Sequence, residues 1–487
     1  MGEPSRVTLG DRYDITLDAL EAVAWHRVPV AIAPEALEEM DRCAGTFERL
    51  VAERVRADPG ALIYGVTSAP GDGAARVLDA EADARRPTRL WTAMSYGDPL
   101  PERVVRGILL ARLANLLGGH AAARARVALA IAEMLNEGPV PSVPAQSNGG
   151  SGEILALGTL FFDLSDRLEL TAKERMALLN GSPCAAALVA DAALAGRQRL
   201  ERAEQVFALV ADLVAAPREH YAPEFEDLWG DQHETAALRS LRALLGPGAG
   251  SEQPHQAAVS VRILPRVLGA ARYAQAQAEG AARDSLASVT DNPVYVPPDE
   301  ERPLGAVYSN GGYHNARAAP AIDALAFAYT DLCQLAERLT EHLFQHPQVG
   351  PLLSRDEWTI KPLHMAVNGW AEEARATAQP TFISLGGFGQ NDVPDLSFLA
   401  WQKFTSIARC LDAALAGLAV VVSQALHMEN RLPAEPLQEL ITQVRATVAP
   451  IDRPRPLGAE CQSLTDMFTA QALASTRQPP NSLSASS

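Results

Sequence analysis

Ser147-Asn148-Gly149-Gly150-Ser151-Gly152-Glu153 sets a serine between glycines, after Pro141 and Pro144 and ahead of the apolar run Ile154 to Phe162. With so little side-chain bulk beside it, Ser151 can have its own backbone folded back on itself. If the amide nitrogen of Gly152 attacks the carbonyl of Gly150 and water leaves, a five-membered ring closes. Loss of water from Ser151 then leaves an exocyclic methylidene carbon, and a weak nucleophile has become an electrophile. Such a turn needs backbone angles that glycine reaches most cheaply. The same residues also spell an ordinary flexible loop, because glycine clusters commonly punctuate chains.

Motifs elsewhere separate these readings. Tyr64-Gly65-Val66-Thr67 comes first, then Lys173-Glu174 followed by Leu178-Leu179-Asn180-Gly181-Ser182. His255-Gln256-Ala257-Ala258-Val259-Ser260-Val261-Arg262 comes next, then Ser288 to Pro293 and Gly311-Gly312-Tyr313-His314. In this order, and from about residue 50 to 430, the chain resembles the histidine and phenylalanine ammonia-lyase family, the aromatic amino acid lyases and aminomutases. The family's Gly-Ser-Val-Gly-Ala-Ser-Gly-Asp-Leu lies over Gln146 to Ile154.

The resemblance implies a mostly α fold: a long-helix bundle, with a smaller N-terminal domain carrying the electrophile loop. It implies 4-methylidene-imidazol-5-one (MIO), formed autocatalytically from Gly150-Ser151-Gly152, with no metal or dissociable cofactor. The implied reaction removes ammonia from an α-amino acid or related amine, or, in an aminomutase, returns it to the neighbouring carbon. Tyr64 falls on the catalytic base, although a phenol ordinarily ionises near ~10 and needs help from its surroundings. Arg262 falls on the residue that holds the substrate carboxylate, a task suited to a planar guanidinium. Asn180 and Gln256 would hydrogen-bond the ring carbonyl and the substrate, and Tyr313 would pack under the ring or substrate. Gly97-Asp98-Pro99-Leu100-Pro101-Glu102 resembles Gly-Glu-Pro-Leu-Pro-Glu and so places Trp91-Thr92 on the pair that meets the substrate side chain. That dipeptide matches none of the histidine, tyrosine or phenylalanine patterns. Gln390-Asn391-Asp392 resembles a further segment in one of two registers, and Gln390 is the residue chosen. Family members are tetramers with shared active sites, so a homotetramer is expected.

Among the departures from the pattern, four bear on the chemistry. Gly150 replaces alanine, which removes only a methyl group beside the ring, and Glu153 replaces aspartate with one more methylene. Val259 stands where the family has a tyrosine, and valine can neither donate a hydrogen bond nor transfer a proton. Gly312 replaces an asparagine beside the aromatic residue. Two other readings stay open on these departures. One is an enzyme on the same scaffold that uses Tyr64, Tyr313 and Arg262 without an electrophile; the other is a non-catalytic binding protein.

Composition narrows the partners. Among 487 residues, 42 Lys and Arg face 59 Asp and Glu, a net charge of -17, which disfavours nucleic acid and anionic membrane. Cys43, Cys184, Cys333, Cys410 and Cys461 lack paired spacing and are odd in number, as expected for reduced thiols. The chain opens Met1-Gly2-Glu3-Pro4 without a leader pattern, and the apolar segment Leu415 to Leu426 is short for a membrane span, so cytoplasm is expected. No dinucleotide fingerprint, phosphate loop or His-Glu-x-x-His is present, and Pro347 follows directly on the His342 and His346 pair.

Helical periodicity organises the rest. Val105, Ile108, Leu109, Leu113 and Leu116 recur at three and four, as do Ile322, Leu325, Tyr329, Leu332, Ala336, Leu339 and Leu343. Phe404, Ile407, Leu411, Leu415 and Leu418 do the same. Loops are expected at Gly138 to Pro144, Pro247 to Pro254 and Pro297 to Pro303. The expected domains are 1–195 with the electrophile loop, 196–475 as the helical bundle, and a flexible tail at 476–487.

Overall fold

The computed structural model describes residues 6–78, 92–246, 256–355, 358–383 and 389–474. The chain forms two compact units. Met1–Ala192, Ala278–Ile322 and Thr381–Gln402 make the first; Ala193–Gln277, Asp323–Pro380 and Lys403–Ser487 make the second.

In the first unit, Val7–Leu9 and Val30–Ile32 pair as short parallel strands, and Pro34–Ala57 is a helix opened by proline, whose missing N–H is no loss at that position. Helix Glu102–Leu116 is buried nearly all round, and the five periodic residues Val105 to Leu116 are each at most 1 % exposed. A helix enclosed on every side must hide its polar groups as well. Arg112, fully buried, therefore donates to the carbonyls of Ala177 and Asn180 at 2.8 and 3.0 Å. Burial pulls its guanidinium pKa down, opposed by the charges of Asp291 and Glu153.

Helix Ala172–Leu179 starts at a capping box between Thr171 and Glu174 and ends at Asn180. Lys173 at its start makes a 2.6 Å ion pair with Asp291, both side chains being almost entirely buried. Lys173→Met leaves that carboxylate uncompensated and is expected to cost about 3–5 kcal/mol by denaturant unfolding. Pairing it with Asp291→Leu should recover much of the loss. Beyond Asp291, Val294–Val296 and Ala306–Tyr308 form an antiparallel pair, and buried Tyr295 meets Phe47 edge to face at 5.4 Å.

The second unit is built from long helices. It takes residues 193–213 of Pro183–Leu213, 323–345 of Ala318–Gln345 and 403–428 of Ser397–Met428. Gln232–Leu245, Pro362–Thr377 and Gly458–Ala474 also belong to it. The expected faces supply its core: Leu325, Tyr329, Leu332, Ala336, Leu339 and Leu343 are wholly buried, as are Ile407, Leu411, Leu415 and Leu418. Inside it Arg199 pairs with Asp412, both enclosed.

Ser397–Met428 is longer than the apolar segment suggested and is long and apolar enough to cross a membrane, but 83 % of its apolar window is covered by protein. All five cysteines are free thiols. Residues 138–144 and 297–303 are loops; 247–255 and the tail beyond 474 lie outside the described residues.

Candidate active site

The Ser147–Glu153 stretch is a tight turn. Ser147, Gly150, Gly152 and Glu153 take positive φ values of 58, 94, 68 and 58°. For the two non-glycine residues such angles cost roughly 1–3 kcal/mol each, so surrounding bonds must hold them. Upstream, Leu100 N donates to Val143 O and Ala145 N to Asp98 O, both at 2.8 Å, and Gln402 Nε2 donates to Ala145 O at 2.7 Å. Downstream, the Glu153 side chain turns away from its own helix, Ile154–Leu160. It accepts the backbone N–H groups of Cys184 and Ala185 at 2.6 and 2.7 Å, at the start of Pro183–Leu213. That use of the carboxylate suits a helix N-terminus. Burial, with the charge of Asp395, nevertheless pushes the Glu153 pKa well above the usual carboxylate range, the two N–H groups opposing the shift. The longer side chain at 153 thus anchors the turn from below.

Around the turn lies a cavity of about 720 Å³ within the first unit. Tyr64, Gly150, Ser151, Gly152, Asn180, Tyr313, Thr92 and Gln390 all line it. Tyr64 and Asn180 are brought close by packing: Gly65 lies so near Met176, on the helix ending at Asn180, that a Cβ would come within 2.6 Å of Met176 Cγ. The Tyr64 oxygen accepts the N–H of Gly71 at 2.9 Å, which leaves its own hydrogen for another partner. A Cβ on Gly152 would stand 2.8 Å from Asn180 Oδ1 and 3.7 Å from Tyr313 Cδ2, so both side chains flank this glycine. Among the described residues, Asn180 Oδ1 is buried without a hydrogen-bond partner, as is Thr92 Oγ1. Such orphans in a cavity wall are where a bound group would be recognised. Pro70, Ala74, Met94, Ile154, Leu155, Met176 and Leu179 supply an apolar lining.

Gln256 and Arg262 do not line this cavity. They belong to the second unit, where they line a cleft of about 410 Å³ with Glu219, His220 and the stacked rings of Phe225 and Trp229. Arg262 Nε is buried there without a partner among the described residues. Val259 begins the short helix Val259–Arg262 and is 59 % exposed. Trp91 lies outside the described residues.

Two asparagines escaped the sequence reading. The Ser151 hydroxyl donates to Asn391 Oδ1 at 2.8 Å, while Gln390, the residue chosen, uses its backbone N–H on Asp72 Oδ1 at 2.9 Å. The register ambiguity at 390–391 was the available signal. Asn310 Oδ1 accepts the N–H of Gly312 at 2.7 Å and its Nδ2 donates to Asp291 O at 3.0 Å, so its side chain ties this loop to the residue paired with Lys173.

The profile of the aromatic amino acid lyases matches residues 15–165 and 163–446. The histidine ammonia-lyase of Symbiobacterium thermophilum is 28 % identical over 494 residues, covering 93 % of this chain and 95 % of that protein. Ergothionase from Treponema denticola superimposes with a TM-score of 0.86 at 16 % identity, over 96 % of this chain and 99 % of that one. Tyrosine aminomutase from Streptomyces globisporus gives 0.82 at 22 %, over 97 % and 98 %. At such identities the superpositions establish the mostly helical lyase fold, whereas the profile, which spans well over half of the sequence, establishes descent: the chain belongs to the aromatic amino acid lyase family.

Proposed function

We propose that this protein is a carbon–nitrogen lyase that eliminates ammonia from an α-amino acid, using MIO formed from Gly150-Ser151-Gly152. One observation carries the reading: Tyr64, Asn180 and Tyr313, from three distant parts of the chain, meet the Ser151 turn in one cavity. The turn suits the group. Gly150 and Gly152 already hold left-handed angles, and among the described residues nothing lies within 4 Å of a Cβ at 150. MIO supplies an electrophilic carbon that takes up the substrate amine, or another electron-rich atom, and makes it a better leaving group.

The side chains account for the remaining work. The Tyr64 oxygen, as the phenolate, removes a proton from substrate carbon and becomes the phenol, oriented by the Gly71 N–H. Thr92 Oγ1 and the apolar lining select the substrate side chain, and Tyr313 packs beside the reacting atoms. Arg262 holds the carboxylate and Gln256 a polar substrate atom; we propose that they enter from a neighbouring copy in a homotetramer, as family members share their active sites.

Intact-mass measurement tests the reading. A deficit of two waters, with near-ultraviolet absorbance abolished by borohydride, is expected, together with ammonia release from one member of an amino-acid panel. A full-mass chain would sink it. Formation of a β-amino acid in place of free ammonia would identify an aminomutase.

A further inference from the structure

Segment 389–395 touches the Ser151 turn at two atoms, and both must depart if the methylidene-bearing ring is to be completed. Gly150 O accepts the backbone N–H of Asp395 at 3.0 Å, and the Ser151 hydroxyl is bonded to the Asn391 carboxamide at 2.8 Å.

The chemistry needs help at both. In the first dehydration the Gly152 nitrogen bonds to the Gly150 carbonyl carbon and gives its proton to the carbonyl oxygen. That oxygen leaves as water with the Ser151 amide proton, creating a carbon–nitrogen double bond. In the second, the Ser151 Cβ–Oγ bond breaks. Oγ departs with its own hydrogen and the Ser151 Cα proton, creating the methylidene double bond. No oxidant or co-reactant enters. A peptide carbonyl is a poor electrophile, and an N–H fixed on its oxygen stabilises the charge that builds there during attack. A hydroxyl is a poor leaving group. The Asn391 carboxamide accepts its hydrogen through Oδ1, and after a half-turn of the amide it donates Nδ2–H to Oγ.

We propose that Asn391 is a catalytic residue of this self-dehydration, hydrogen-bonding the departing Ser151 hydroxyl while the Asp395 N–H serves the Gly150 oxygen. The assignment rests on the MIO reading above. The segment is held for the task. Asp72 fixes Gln390 N, and the buried Asp395 carboxylate accepts the backbone N–H and hydroxyl of Ser397 at 3.1 and 2.6 Å, at the head of Ser397–Met428.

Time-resolved intact mass of newly made protein provides the test, read on the wild type, Asn391→Ala and Asn391→Asp. The wild type is expected to reach a two-water deficit. Asn391→Ala should stall one water short, its ring closed but its hydroxyl retained, with the second loss slowed roughly 10²-fold, in the range of a lost acid–base partner. Asn391→Asp keeps the side-chain shape but, ionised, cannot donate; it should stall too, and it serves if the alanine variant does not fold. A two-water deficit formed in either variant as fast as in the wild type overturns the proposal. Absence of any deficit in the wild type removes the MIO reading itself, and that outcome is seen before any substitution is made.

Discussion

Ser151→Ala is expected to lower kcat by on the order of 10³- to 10⁶-fold, the scale on which enzymes lose a residue at the bond-making centre. The substitution is mild structurally. Ser151 is half-buried and, among the described residues, its side chain makes one hydrogen bond, to Asn391. Ordinary circular dichroism and an unfolding midpoint close to wild type should accompany the loss, since one neutral hydrogen bond contributes about 1 kcal/mol. The ring can still close in this variant, so its mass should fall short by a single water and no borohydride-sensitive absorbance should remain. Activity within a few-fold of wild type would exclude the electrophile and favour an enzyme that works through Tyr64, Tyr313 and Arg262 alone. No turnover by the wild type across an amino-acid panel, with tight small-molecule binding, would instead favour a binding protein.

Tyr64→Phe is expected to lower kcat by roughly 10²- to 10⁴-fold, the usual contribution of a positioned proton acceptor, and to move KM by only a few-fold. The ring face of residue 64 remains in the cavity wall, so binding surface is conserved. What disappears is the hydroxyl, along with the acceptor of the Gly71 N–H. Mass separates the two variants: Tyr64→Phe should carry the full two-water deficit, because its hydroxyl is engaged by Gly71 rather than by any atom that leaves during ring closure. Steady-state kinetics combined with intact mass therefore distinguishes a fault in making the electrophile from a fault in using it. Equal losses in both measurements would show that Tyr64 acts by shaping the turn.

Much of the architecture was legible because it is written locally. The three- and four-residue spacing from Ile322 to Leu343 and from Phe404 to Leu418 defines apolar stripes, and those side chains are the buried faces of Ala318–Gln345 and Ser397–Met428. Tyr64, Ser151, Asn180 and Tyr313 were likewise found within short motifs. Glu153 was not understood in this way. Its extra methylene looked like a perturbation, yet the carboxylate reaches the N–H groups of Cys184 and Ala185, some thirty residues on. Nor was Asn310 singled out, although its side chain accepts the Gly312 N–H.

By itself the sequence determined the helical class and the lineage, since each depends on neighbours within a turn or a motif. Only the tertiary structure decided that Asn391 rather than Gln390 meets the Ser151 hydroxyl across 240 positions. Nor could spacing reveal that Asp395 holds the Gly150 carbonyl, or that Gln256 and Arg262 stand in a cleft of their own. The reason is physical: a hydrogen bond spans about 3 Å of space whatever the length of chain between its ends, and which ends meet is settled by how the buried helices and loops pack.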